Sequence, residues 1–197
     1  MATTFVLAGG NDRETEEFGE KLAHLIRQQV GEPRILSCFF ARDESHWAKS
    51  SDNWKPWFEK YFNSEFSYDT AQINTFLDQV SVSNVIFLHG GTTVLLVDAL
   101  KKFTSLKEAF EGKVIVGSSA GANYLSSVYY SPSKNLVGHG SGLVDVATLV
   151  HYGADSDGEI SLSEAAWSSA LDRVKEVSGK DRPILLLPEG TFNVLLG

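Results

Sequence analysis

With 197 residues, 43% hydrophobic and 21% charged, the chain is sized and composed like one globular domain, which excludes disordered and fibrous classes. Seventeen Lys and Arg against 25 Asp and Glu leave a net charge of −8 with no basic cluster, so neither nucleic acid nor an anionic membrane is expected as a partner. The one cysteine, Cys38, excludes an internal disulfide, and no apolar run approaches the roughly 18 residues of a membrane span. Met1–Leu7 carries no signal-peptide pattern, and the expectation is one cytoplasmic domain over residues 1–197, monomer or homodimer.

In chain order, short apolar runs alternate with amphipathic ones. Thr4–Ala8 predicts a strand that stops at Gly9-Gly10-Asn11-Asp12. From Glu14 to Val30, Phe18, Leu22, Leu25 and Ile26 recur at helical spacing, and Gly31 supplies the stop. Arg34–Ala41 predicts a second strand. Trp47–Tyr68 stands apart, with Trp47, Trp54, Trp57, Phe58, Tyr61, Phe62, Phe66 and Tyr68 close together. Positions 47, 54, 58 and 61 fall near one helical face, and Pro56 fits only the first turn of such a helix. This segment reads as a helix burying aromatics on a sheet, or as a partner interface or a wall over the active site. Asn84–His89 predicts a third strand, followed by a helix from Thr93 to about Phe103. Lys113–Gly117, Leu143–Val150 and Pro183–Leu187 predict three more strands, with an amphipathic helix over Ser163–Val177. Several of these strands are apolar throughout, as parallel strands covered on both faces are. The alternation predicts an α/β fold: a doubly wound, mostly parallel sheet sandwiched by helices.

Chemistry concentrates where Val114-Ile115-Val116 runs into Gly117-Ser118-Ser119-Ala120-Gly121. The G-x-S-x-G form places Ser119 in a sharp strand-to-helix turn that exposes its hydroxyl. The same string also suits a tight turn that merely requires small residues. A serine nucleophile needs a base and an orienting acid. Of the five histidines, His24 lies mid-helix, His46 in the aromatic segment, His89 beside Gly90-Gly91, and His139 in a glycine loop. His151 ends a strand, where open α/β sheets hold their ligands, and is the favoured base over a merely solvated strand-edge histidine. Asp145 is the only acid between Ser119 and His151, but six residues of extended strand separate it from His151 by about 20 Å. Glu189, in Leu187-Pro188-Glu189-Gly190 after the last strand, is the favoured acid, with an exposed turn residue as the other reading. Gly91, with Gly90 as the near alternative, and Ala120 would present backbone N–H groups to an oxyanion. Gly9-Gly10 could line the same edge, although paired glycines after a strand are common turn chemistry.

Four strings in register resemble the dipeptidase E and cyanophycinase family of serine peptidases. They are Gly9-Gly10, Phe87-Leu88-His89-Gly90-Gly91-Thr92, Gly117-Ser118-Ser119-Ala120-Gly121-Ala122-Asn123 and Leu187-Pro188-Glu189-Gly190. The Ser-Ala-Gly-Ala-Asn and Leu-Pro-Glu-Gly parts are the specific ones, and together the strings span most of the chain. The resemblance implies a fold like that of class I glutamine amidotransferases and a Ser-His-Glu triad at Ser119, His151 and Glu189, with the Gly-Gly turn in the oxyanion hole. Two departures bear on substrate. Aspartyl-specific members carry Gly-Glu-x-Arg after the histidine, where this chain reads Gly158-Glu159-Ile160-Ser161. They also carry an aspartate past the nucleophile, where this chain reads Ser131-Pro132-Ser133-Lys134-Asn135. The chain stops soon after Glu189, so C-terminal strands that the family adds are expected to be short or missing.

The combined expectation is a serine peptidase for small peptides that needs no metal or cofactor and has no preference for N-terminal Asp. Such a preference would require another cation, such as Arg173 or Lys175, in the pocket. An esterase or amidase with the same nucleophile, and a non-catalytic binding protein on this fold, are the alternatives.

Overall fold

Alternate residues of the central strands feed two different cores, and this sets the layering. The computed structural model describes residues 2–13, 15–63, 65–154 and 162–197. In chain order the elements are β1 (Thr4–Ala8), α1 (Glu16–Val30), β2 (Arg34–Cys38), α2 (Trp47–Phe62), β3 (Ser67–Thr70), α3 (Phe76–Val82), β4 (Val85–Leu88), α4 (Thr93–Leu100), α5 (Leu106–Ala109), β5 (Val114–Ser118), α6 (Ala120–Leu125), β6 (Ser126–Ser131), β7 (Leu136–His139), β8 (Val144–Val150), α7 (Glu164–Ser178), β9 (Ile184–Leu187) and β10 (Phe192–Leu196). Val6, Ala8, Ile35, Val85, Phe87, Val114 and Val116 point to one face and meet aromatics of α1 and α2. Their neighbours Leu7, Leu36, Cys38, Ile86, Leu88 and Ile115 point to the other face and meet apolar residues of α3, α4 and α6. Burial on both faces is why these strands lack polar alternation.

The α/β class with parallel strands flanked by helices is observed, and the strands divide between two sheets. The larger has the order β10-β1-β5-β4-β2-β3 and is parallel except for β10. The smaller has the order β7-β6-β8-β9, with β7 antiparallel, and packs its outer face on Trp167, Ala170 and Val174 of α7. The Ser163 hydroxyl accepts from Ala166 N–H and caps α7, so the predicted first residue of that helix is its N-cap.

Three expectations about elements are corrected. Strand β2 ends at Cys38 instead of Ala41, because Phe39–Arg42 closes into a turn through Arg42 N–H to Phe39 O at 2.9 Å. Pro56 sits deep inside α2 instead of in its first turn. Its ring and the carbonyl it strands belong to the exposed face. Burial of Phe58 and Phe62 contributes about 1.5–3 kcal/mol each. With Trp54 and Trp57 added, that exceeds the roughly 3 kcal/mol a mid-helix proline costs. Finally, the chain end forms a full five-residue strand, β10, antiparallel to β1. No helix among the described residues is long and apolar enough to cross a membrane.

Candidate active site

Strands β1, β5 and β4 stop level with one another, Ala8 beside Ser118 and Leu88 beside Gly117. Their following loops therefore converge at one sheet edge, where α/β sheets hold ligands. In the smaller sheet Val150 lies beside Leu187, which brings His151 and Pro188-Glu189 to the end of that sheet. Backbone hydrogen bonds join the two edges: His151 N–H donates to Gly9 O at 3.1 Å, and Gly190 N–H to Gly10 O at 2.9 Å. Glu189 thus rides on the short link that carries the chain from β9 in one sheet to β10 in the other.

The structure brings Ser119, His151 and Glu189 into one hydrogen-bonded line. Ser119 Oγ is 2.9 Å from His151 Nε2, and His151 Nδ1 is 2.6 Å from Glu189 Oε1. A carboxylate only accepts, so the geometry favours a proton on Nδ1, leaving Nε2 to accept from the serine hydroxyl. The other carboxylate oxygen, Oε2, accepts from Asn11 Nδ2 at 2.6 Å. The His151 side chain is 13% exposed and that of Glu189 24%, so the line is sheltered and still open to a substrate.

Backbone strain gathers at the same place. Five described non-glycine residues have positive φ. Asn63 and Asn135 merely cap helical segments, while Asn11 (53°), Ser119 (49°) and His151 (55°) all face this line. For serine and histidine such conformations cost on the order of 1–3 kcal/mol, and they persist where surrounding contacts over-determine them. Those contacts are visible: Ser119 N–H donates to Ala8 O at 3.0 Å, and Asn123 N–H returns to Ser119 O at 3.0 Å. Two glycines are required by close approach. A Cβ on Gly10 (φ 110°) would lie 2.4 Å from His151 Cε1, and one on Gly121 would lie 2.1 Å from Leu88 O. The Gly9-Gly10 turn is therefore a seat for the histidine ring.

Ala120 opens α6, so its N–H has no intrahelical acceptor. Among the described residues Gly90 and Gly91 N–H donate to no loop carbonyl either. Gly90, Gly91 and Ser119 line a cavity of about 1120 Å³, and Ala120 directly follows Ser119. Asn123, buried behind it, accepts from Thr148 Oγ1 at 3.1 Å and donates to Thr93 Oγ1 at 3.3 Å, tying the elbow to the strand that carries His151. Trp54 of the aromatic segment both packs in the core and lines the cavity.

Other residues singled out by sequence lie elsewhere. Asp145 pairs with Arg182 at 2.7 Å on the surface and accepts from Ser127. Cys38 is fully buried, which pushes its thiol up to about 12 and removes it as a nucleophile. Arg173 donates to Asn135, and Lys175 pairs with Asp172 at 3.2 Å; neither lines the cavity. The cations that do are Arg13, Arg42 and Lys134. The departure at Gly158-Glu159-Ile160-Ser161 falls outside the described residues. Asn11, Arg13, Arg42 and the buried Asp12 all line the cavity, and no sequence motif marks them. Desolvation raises the Asp12 carboxyl from 3.8 to about 6, tempered by nearby Ser118 and the Gly10 backbone. Among the described residues no group of three or more His, Cys, Asp or Glu has the arrangement of a metal site.

No protein-family model and no curated protein sequence matches the chain. Among solved structures it is similar to a candidate peptidase E from Listeria monocytogenes EGD-e, with a TM-score of 0.66 and 16% identity, over 100% of this chain and 96% of that one. At that identity the likeness is one of fold.

Proposed function

We propose that the protein is a serine hydrolase that cleaves short peptides, with Ser119 as nucleophile, His151 as general base and acid, and Glu189 as orienting acid. The observation that carries this reading is the unbroken line Ser119–His151–Glu189 at 2.9 and 2.6 Å, open to the cavity. Ser119 Oγ adds to the substrate carbonyl carbon while His151 Nε2 takes its proton. Gly91 and Ala120 N–H, with Gly90 adjacent, receive the oxyanion, and each such donor is worth about 10²–10³ in rate. The C–N bond then breaks as His151 gives the proton to the leaving nitrogen. A water molecule repeats the sequence on the acyl ester, losing its proton to His151, and collapse releases the acid and restores Ser119. Peptide chemistry is favoured over ester chemistry by the fold shared with a candidate peptidase E.

The test is labelling by a fluorophosphonate together with turnover of a panel of dipeptides and simple esters. Wild type should be labelled at Ser119 and cleave dipeptides, and Ser119→Ala should lose both. Turnover that survives in folded Ser119→Ala overturns the mechanism, and esters cleaved to the exclusion of peptides overturn the substrate class.

A further inference from the structure

Two guanidinium groups on the cavity wall have no counterion among the described residues. Arg13 lies over the Trp54 ring at 5.1 Å and donates through Nη1 to Asn53 O at 3.2 Å. Arg42 donates through Nε to Gly90 O at 3.1 Å and through Nη1 to Ser50 Oγ at 3.2 Å. Neither forms an ion pair among the described residues, although the chain has a net charge of −8 and Asp12 and Asp43 stand beside them in sequence. Burial and, secondly, the Arg13 charge lower the pKa of Arg42, and both side chains line the one cavity. Each keeps Nη2 without a hydrogen-bond partner among the described residues. Two like charges, each held in place by stacking or by two hydrogen bonds and each with a free edge, are organised for an anion that the described residues do not supply.

Their place relative to Ser119 narrows the anion. Gly90, whose carbonyl holds Arg42, lies against the nucleophile: a Cβ placed on it would sit 3.3 Å from Ser119 Cβ and 3.9 Å from Oγ. In a dipeptide the carboxylate carbon follows the scissile carbonyl carbon by three bonds, about 3–4 Å. Arg13, Arg42 and Ser119 line the same cavity, so the anion belongs to a short substrate whose carbonyl Ser119 attacks. An α-carboxylate is also the one anion common to all unblocked short peptides, whatever their side chains.

We infer that Arg13 and Arg42 form the subsite for the free α-carboxylate of a short peptide, which makes the cavity selective for substrates that end close to the cleaved bond. This rests on the peptidase reading above. The pair acts in binding: Arg42 also braces the Gly90 carbonyl, while Arg13 touches no part of the Ser119–His151–Glu189 line.

The test uses alanylalanine and its C-terminal amide, with dissociation constants measured in Ser119→Ala protein so that no turnover is needed. The amide should bind about 10–100-fold more weakly, the range for losing a charge-assisted hydrogen-bonded pair. Adding Arg13→Gln, which leaves the Gly90 contact intact, should weaken the dipeptide and bring the ratio most of the way to one; Arg42→Gln should do the same. Arg173→Gln, outside the cavity, should leave the ratio unchanged. Equal affinities for acid and amide, binding of neither, or a ratio that survives both arginine changes overturns the subsite. So does a panel in which neutralising an Asp or Glu side chain, and not the terminus, is what the arginine changes report. Failure of the hydrolase reading is separate: it shows as absent fluorophosphonate labelling in wild type.

Discussion

His89 and His151 both directly follow a parallel strand, β4 and β8, and their surroundings could hardly differ more. His89 is fully buried, stacked between Phe39 at 4.2 Å and Phe87 at 4.3 Å with Trp54 at 4.5 Å. Burial holds it well below its ordinary pKa, and the Arg42 and Arg13 charges push the same way. Its Nε2 meets Ser37 Oγ at 3.1 Å, and Nδ1 has no partner among the described residues. His151 has both ring nitrogens engaged, one by a hydroxyl and one by a carboxylate, at the mouth of a cavity. A strand-end position does not make a histidine a base; a nucleophile on one nitrogen and an acid on the other do.

The largest effects should divide the two histidines cleanly. His151→Ala should cost on the order of 10⁶ in kcat, as loss of a triad base does elsewhere, with little change in melting temperature. His89→Ala removes a packed ring and should cost about 3–5 kcal/mol of stability, by analogy with buried aromatic truncations, while folded molecules keep their turnover. Denaturant titration and active-site-normalised kinetics on both variants check this. A well-folded but inactive His89→Ala protein would transfer the base assignment from one strand end to the other.

Next is the acid that distinguishes His151. Glu189→Gln keeps the shape of the side chain but offers an amide that can support the wrong imidazole tautomer and cannot stabilise the imidazolium. The comparable serine-protease change costs about 10⁴-fold in kcat. Dipeptide kinetics near neutral pH read this directly, and a loss under tenfold would mean that Glu189 only shapes the turn.

Much of this arrangement was legible in the chain because short-range patterns carry it. Apolar runs marked β1, β2, β4, β5, β8 and β9, and the Gly-Ser-Ser-Ala-Gly string located the turn that holds Ser119. The remainder depends on contacts with no local signature. Strand β6 reads Ser-Ser-Val-Tyr-Tyr-Ser, and its buried Ser126 is tolerated only because its hydroxyl bonds Asn123 O and Thr148 Oγ1. Strand β3 is a polar edge strand, Ser-Tyr-Asp-Thr, and its Tyr68 continues the aromatic run of α2 without a break in the sequence pattern. At Pro56 tertiary burial of the α2 aromatics overrides the local cost of a mid-helix proline. Asn11, Arg13 and Arg42 are single residues on loops after two different strands, and only the convergence of strand ends with α2 brings them to Ser119. The Gly9-Gly10 pair was visible, but its purpose, a seat for an imidazole about 140 residues away, was not.

A smaller effect contrasts two carboxyls on the same sheet edge. Glu189 receives donors on both oxygens, from His151 and Asn11, whereas Asp12 is 2% exposed and neither oxygen meets the geometry of a hydrogen bond among the described residues. The unfolded chain releases the Asp12 proton near 3.8, while the folded protein retains it until about 6. Between those values the unfolded state gains by ionising, so stability falls as pH rises through the window and stays lower above it. The loss is about 3 kcal/mol at neutrality. Asp12→Asn should therefore raise the melting temperature at pH 7–8 and change it little at pH 4. A gain that is the same at every pH would show that the carboxyl is not the source.

The smallest effect is expected at Asp145, the acid that chain order alone would nominate in an α/β-hydrolase. Its carboxylate lies on the surface, bonded to Arg182 Nε at 2.7 Å and Ser127 Oγ at 3.1 Å, and both contacts hold its pKa below the ordinary carboxylate value. An exposed pair of this kind contributes little to stability, and less as salt rises. Asp145→Asn should leave kcat within about twofold, since no step of the mechanism passes through this side chain. The comparison with Glu189→Gln depends only on rank, so it survives uncertainty in either magnitude. If Asp145→Asn abolished turnover and Glu189→Gln spared it, the line Ser119–His151–Glu189 would be a structural hydrogen-bond chain. The catalytic acid would then have to reach His151 from the strand in a conformation other than the one described.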